Sequence, residues 1–179
     1  MRTEHLLRLA LFGLPLLFAP PMLRRQHQVD QALLTAARQY DLDWRLLRAV
    51  AIQESRMNPR ARGAAGEIGM FQIMPITARH WAERTGNPVP TEEELFAVTL
   101  NARISAWYLR QGLNEFADRE APLPFALAFY NAGPSRIRAW ARNVGEGEDL
   151  IPHIPFPSTR TYITNILATL QEPLPRITP

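Results

Sequence analysis

Apolar residues recur along most of this chain at intervals of three and four, the spacing of one face of an α-helix. Over residues 28–40 the stripe is Leu33, Leu34 and Ala37, and after Trp44 it is Leu47, Val50 and Ala51. Asp43 stands where its side chain can cap the second of these helices. The Asn58-Pro59 pair then breaks it, because a residue before proline is pushed out of helical backbone. Residues 60–69 include Gly63, Gly66 and Gly69 and read as an irregular loop. Pro75 suits the first turn of a helix over 75–84. Thr91 and Glu94 form a capping box for a longer helix bearing Leu95, Val98, Ala102, Ala106 and Leu109, with Gly112 as its stop. An apolar helix over 124–129, a turn at Asn131-Ala132-Gly133-Pro134 and a short helix over 134–142 follow. After a polar loop over 143–149, Ser158 caps a last helix carrying Tyr162, Ile163, Ile166, Leu167 and Leu170. No period-two pattern predicts a strand. The expected fold class is mainly α, a single domain over 28–172 with little or no sheet.

The N-terminus follows a different pattern. Arg2 and Arg8 precede the apolar run 9–19, and Arg24-Arg25 follow it. A basic segment ahead of a short apolar one predicts a secretory signal over 1–25. The run is short for a transmembrane span. Phe18-Ala19-Pro20-Pro21 is a poor cleavage site, so an uncleaved inner-membrane anchor is the alternative, and an apolar arm of a cytosolic protein is a third reading. Residues 173–179 read as a tail.

Composition narrows the chemistry. At 179 residues, 46% of them hydrophobic, the chain can bury the core of one ordinary domain. It has no Cys, which removes disulfides, thiolate metal sites and cysteine nucleophiles. Its basic residues are all Arg, which removes Lys chemistry. The net charge of +3 fits an anionic partner such as a cell wall, and the arginines do not interleave with aromatics as in a nucleic-acid surface. Four scattered histidines, His80 and His153 among them, make no ligand pattern, so no metal is implied.

One acid breaks the apolar pattern. Glu54 falls on the same helical face as Leu47, Val50 and Ala51. A carboxylate on a core-facing stripe is costly when charged, so its pKa rises toward the range a general acid needs near neutral pH. The other reading of this segment alone is a helix-ending Glu that turns to solvent.

Three segments bear on that choice. They are Gln53-Glu54-Ser55-Arg56-Met57-Asn58-Pro59, the run Gly66-Glu67-Ile68-Gly69-Met70-Phe71-Gln72-Ile73-Met74-Pro75, and Ala128-Phe129-Tyr130-Asn131-Ala132-Gly133-Pro134. In this order and spacing they resemble the catalytic domain of soluble-type lytic transglycosylases, with Ile154-Pro155-Phe156-Pro157-Ser158-Thr159-Arg160-Thr161-Tyr162-Ile163 similar to the family's closing motif. The resemblance implies a goose-lysozyme-like fold and cleavage of peptidoglycan glycan strands in the bacterial periplasm or cell envelope. It implies no cofactor, and a monomer. Small members of this kind often serve an envelope-spanning secretion or conjugation machine, an expectation to which no residue here adds a partner.

Breaking a glycosidic bond needs a proton on the leaving oxygen and stabilisation of positive charge at the anomeric carbon. The nearest candidate for a second carboxylate is Glu67, which reads more simply as a solvated loop charge. The resemblance implies that none is needed. The substrate's N-acetyl group attacks, and Glu54 first gives a proton and then takes one from the muramic acid's 6-hydroxyl, leaving a 1,6-anhydro end. The resemblance also makes Gln72 a saccharide-binding residue, Gly69 a point of close approach to the sugar, and Tyr130 a phenol near the catalytic acid. Met70 and Met74 suit the cleft or the core equally. Asn131 is a ligand or a turn former, and Tyr162 an active-site phenol or a core residue. Ser55 is expected to brace the loop after the helix. Departures from the family pattern are Gly63 in place of Ser, Glu67 in place of Ala, Phe71 in place of Met and Ser158 in place of Glu.

Overall fold

The computed structural model describes residues 20–172. Among the described residues, seven α-helices carry the fold. They are α1 (Pro21–Gln39), α2 (Trp44–Ser55), α3 (Pro75–Thr85), α4 (Val98–Glu115), α5 (Pro122–Ala132), α6 (Pro134–Ala141) and α7 (Pro157–Gln171). Short 3₁₀ turns lie at Glu94–Phe96 and Ile151–His153. Among the described residues there is no strand, only isolated antiparallel bridges from Ile68 to Arg62 and to Ile73. The mainly α class expected from the periodicity is what forms.

Helix α4 is the hub. It packs against α1, α3 and α5, while α2 lies against both α1 and α7 and α5 also meets α7. Leu33, Leu47, Val50, Ile104, Leu109, Leu127 and Ile163 interlock with essentially no exposure. Each such aliphatic side chain contributes roughly 1.5–3 kcal/mol on leaving water, so this cluster dominates the stability. Asp43 caps α2 as expected, accepting from the Arg45 amide at 2.9 Å. Pro75 opens α3, and Gly86 closes it in left-handed backbone at φ 69°.

Four expectations need correction. The Thr91–Glu94 capping box forms, with the Thr91 amide donating to Glu94 Oε2 at 2.8 Å, but it opens the 3₁₀ turn and not the long helix. Ala97 in extended backbone separates the two. Gly112 does not stop α4, which runs on to Glu115. A Cβ at Gly112 would lie 3.0 Å from Ala126 Cα, so its missing side chain lets α5 cross closely. Ser158 is not a cap, because Phe156 occupies that position and Pro157 opens α7. The 131–134 turn narrows to Gly133 at φ 85°, since Asn131 and Ala132 complete α5.

Helix α1 begins at Pro21, ahead of the start expected at residue 28. Most of the expected 1–25 leader and all of the 173–179 tail lie outside the described residues. No helix among the described residues is long and apolar enough to cross a membrane.

Candidate active site

Helix α2 brings Glu54 to the edge of the core. Leu47, Val50 and Ala51 on its stripe are fully buried, and Glu54, at the next position of that stripe, is partly buried. The helix ends one residue later, with Arg56 and Met57 in left-handed backbone at φ 53° and 66°. Ser55 braces this ending as expected. Its hydroxyl donates to the Met70 carbonyl at 2.7 Å and accepts from the Asn58 amide at 3.0 Å. Helix α7 then supplies Tyr162, buried on its own apolar stripe, whose hydroxyl donates to Glu54 Oε1 at 2.8 Å. Tyr162 is a core residue and a direct partner of the acid.

Burial pushes the Glu54 carboxyl up to about 7, with the nearby Glu67 charge adding to the rise and the Tyr162 hydrogen bond opposing it. Removing the carboxylate from water is the larger effect, as expected for an acid on an apolar stripe. The Tyr162 phenol is itself held well above its ordinary range by burial and by the Glu54 charge, so it stays a donor. A carboxyl poised in this way is substantially protonated at neutral pH and can both release a proton and recover one.

The shift has a consequence for stability. Because the folded-state value lies above the unfolded one, the folded chain holds this proton more tightly. The stabilisation is present at pH below about 4.5 and is lost as pH rises through about 7. Glu54→Gln, which cannot ionise, is therefore expected to be more stable than the parent at pH 8–9 by on the order of 2–3 kcal/mol, with little difference near pH 4. Chemical denaturation at the two pH values measures it, and an equal difference at both would contradict the shift.

The 60–74 loop is fixed by a residue that the sequence reading missed. Asn101 on α4 is fully buried. Its Oδ1 accepts from the Phe71 amide at 2.8 Å, and its Nδ2 donates to the carbonyls of Ile68 at 3.0 Å and Leu95 at 2.9 Å. One side chain thus satisfies polar backbone that the core has cut off from water. Gly69 is explained here. At φ 81°, a Cβ would come within 2.6 Å of Asn101 Nδ2, so the missing side chain makes room for Asn101. Met70 is fully buried and belongs to the core, not the cleft.

Gln72 follows in left-handed backbone at φ 50°, with its Nε2 donating to the Gly69 carbonyl at 2.9 Å. Tyr130 comes from α5. Its hydroxyl donates to the Phe71 carbonyl at 2.9 Å and lies 3.1 Å from Ser105 Oγ. Burial raises its pKa well above the ordinary range, and the Glu54 charge adds to this. Tyr130 thus stands in the field of the acid, but the phenol that holds the carboxyl is Tyr162. A polar residue on a core-facing helical face was the signal for Glu54, and it marks Asn101 and Ser105 on α4 equally well.

Gln72, Met74, Tyr108, Tyr130, Asn131 and Gly133 line a groove of about 310 Å³. Met74 is thereby on the cleft side of its two readings. Asn131 Oδ1 accepts from the buried Thr159 hydroxyl at 2.8 Å, which ties α5 to α7 beside the groove. Glu54 is not itself a lining residue of this groove; Tyr130, which lines it, is near enough to feel the Glu54 charge. Among the described residues no group of three or more His, Asp or Glu is placed to hold a metal ion.

This arrangement has counterparts. The transglycosylase SLT domain family matches residues 31–151. The soluble lytic murein transglycosylase of Escherichia coli K12 is 36% identical over 124 residues, 67% of this chain and 19% of its own. A membrane-bound lytic murein transglycosylase F of Shewanella is 34% identical over 116 residues, 63% of this chain and 22% of its own. The chain thus spans about a fifth of the length of the curated relatives it matches. Among solved structures, the 70 kDa soluble lytic transglycosylase of Escherichia coli superposes with a TM-score of 0.71 at 31% identity, over 78% of this chain and 23% of that one. An inactive mutant of lytic transglycosylase Slt from Pseudomonas aeruginosa gives 0.70 at 31% identity, over 83% and 23%. With the family matched over more than half its length, and the lysozyme-like fold shared with these structures, this chain belongs to the transglycosylase SLT domain family.

Proposed function

We propose that this chain is a peptidoglycan lytic transglycosylase. It cleaves the β-1,4 bond between N-acetylmuramic acid and N-acetylglucosamine and leaves a 1,6-anhydro-muramyl end. The observation that carries this reading is the Glu54 carboxyl, held by Tyr162 at 2.8 Å and pushed up to about 7. Glu54 protonates the leaving oxygen as the bond to the anomeric carbon breaks, and the substrate's acetamido oxygen closes onto that carbon. The resulting carboxylate then takes the proton of the 6-hydroxyl while this oxygen displaces the acetamido group. The proton returns to Glu54, and no water enters the products. Gln72, Met74, Tyr130 and Asn131 bind the glycan along the groove. The work is done in the periplasm, with residues 1–25 as signal or anchor.

Mass spectrometry of digested, purified peptidoglycan tests the reading. Muropeptides one water lighter than their reducing counterparts are expected. Reducing ends alone would favour a lysozyme-type hydrolase, a second reading supported by the Glu67 carboxylate, which lies near enough for its charge to act on Glu54. Release of neither product would point to a wall-binding role.

A further inference from the structure

The two departures at Gly63 and Glu67 occupy the same space. A short turn, in which the Gly63 amide donates to the Glu67 carbonyl at 2.9 Å, folds Glu67 back over the glycine. A Cβ at residue 63 would stand 2.1 Å from Glu67 Oε2, so any side chain there would expel the carboxylate. The same point lies 2.8 Å from Gln72 Oε1. Two acceptor oxygens therefore converge over Gly63. The Gln72 amide cannot be turned round to pair them, because its Nε2 already donates to the Gly69 carbonyl at 2.9 Å. Glu67 Oε2 accepts one backbone bond, from Ala65 at 3.0 Å, and no cation pairs with the carboxylate among the described residues. Glu67 is only partly buried, so the pair is open to a ligand. Two facing acceptors with no donor between them are complementary to an N–H or O–H group.

We propose that Glu67 and Gln72 form a two-acceptor clasp that binds an N–H or O–H donor of the glycan beside Glu54, making Glu67 a specificity-determining residue of this chain. The inference rests on peptidoglycan being the substrate. Gly63 is the permissive half of the device. Its lack of a side chain is what admits the carboxylate.

The test uses the full chain carrying Glu54→Gln, which binds without turnover, and soluble peptidoglycan glycan fragments of defined length in a calorimeter. Adding Glu67→Gln lets the new amide donate to Gln72 Oε1 and close the clasp on itself. The expected loss of affinity is roughly tenfold or more, as for a hydrogen bond to a charged group. Gly63→Ser, which displaces the carboxylate by a different route, is expected to give the same loss, and combining the two to give no further loss. In the chain with Glu54 intact, Glu67→Gln is expected to raise KM and to shift the alkaline limb of the pH–rate profile to lower pH, since a charge facing Glu54 is gone. A purely structural role would not move that limb. Unchanged affinity in both variants overturns the clasp alone. Failure of Glu54→Gln itself to bind the fragments overturns the substrate reading and the clasp with it.

Discussion

Glu54→Gln is expected to lower peptidoglycan cleavage by about 10³-fold or more, the scale of a general acid–base contribution lost at both of its steps. The substitution keeps the shape of the side chain and its place on the stripe beside Leu47, Val50 and Ala51. It retains an oxygen to accept from Tyr162, so the fold around the site is expected to persist. What disappears is the exchangeable proton. The parent enzyme should show the matching pH dependence. Cleavage begins with protonated Glu54, so the rate is expected to fall as pH rises through about 7. A turbidity assay on purified cell walls reads both effects. Clearing by Glu54→Gln at the parental rate would mean that another group is the catalyst.

The second large effect is on folding. Asn101→Leu is expected to destabilise the chain by about 3 kcal/mol or more, because each buried polar group left unpaired costs roughly 1–3 kcal/mol. The substitution orphans the Phe71 amide, removes the side-chain donor to the Leu95 carbonyl, and leaves the Ile68 carbonyl with the Ile73 amide alone. Leucine also lacks the polar atoms that the space beside Gly69 is shaped around. The damage should reach function, since this side chain holds the loop that presents Glu67 and Gln72. Chemical denaturation gives the stability loss, and a change below 1 kcal/mol would contradict the role assigned to Asn101.

Much of the site was legible because its key residue breaks a local rule. An acid on an apolar helical stripe is visible in eight residues of sequence, and the burial that the stripe implies is the largest cause of the shift of Glu54. The helices were legible for the same reason, since apolar spacing depends on near neighbours. What escaped depends on contacts between distant segments. Gly112 looks like a helix stop until α5 is laid across it at 3.0 Å. That Gly69 makes room for Asn101 shows only once the two segments are brought together. Met70 and Met74 are indistinguishable along the chain, but one fills the core and the other lines the groove. Tyr130 and Tyr162 are both phenols in matching motifs, and only the crossing of α7 over α2 decides which one holds the acid. Gly63 and Glu67, read singly, were unrelated departures; in space the first makes room for the second.

The central claim is that one carboxyl, acting as acid and then base, transfers the glycan to its own 6-hydroxyl and not to water. Digestion of purified peptidoglycan in water enriched with heavy oxygen tests it most directly. The account predicts anhydro-muramyl ends with no heavy oxygen at the anomeric carbon. Reducing ends carrying the label would contradict it.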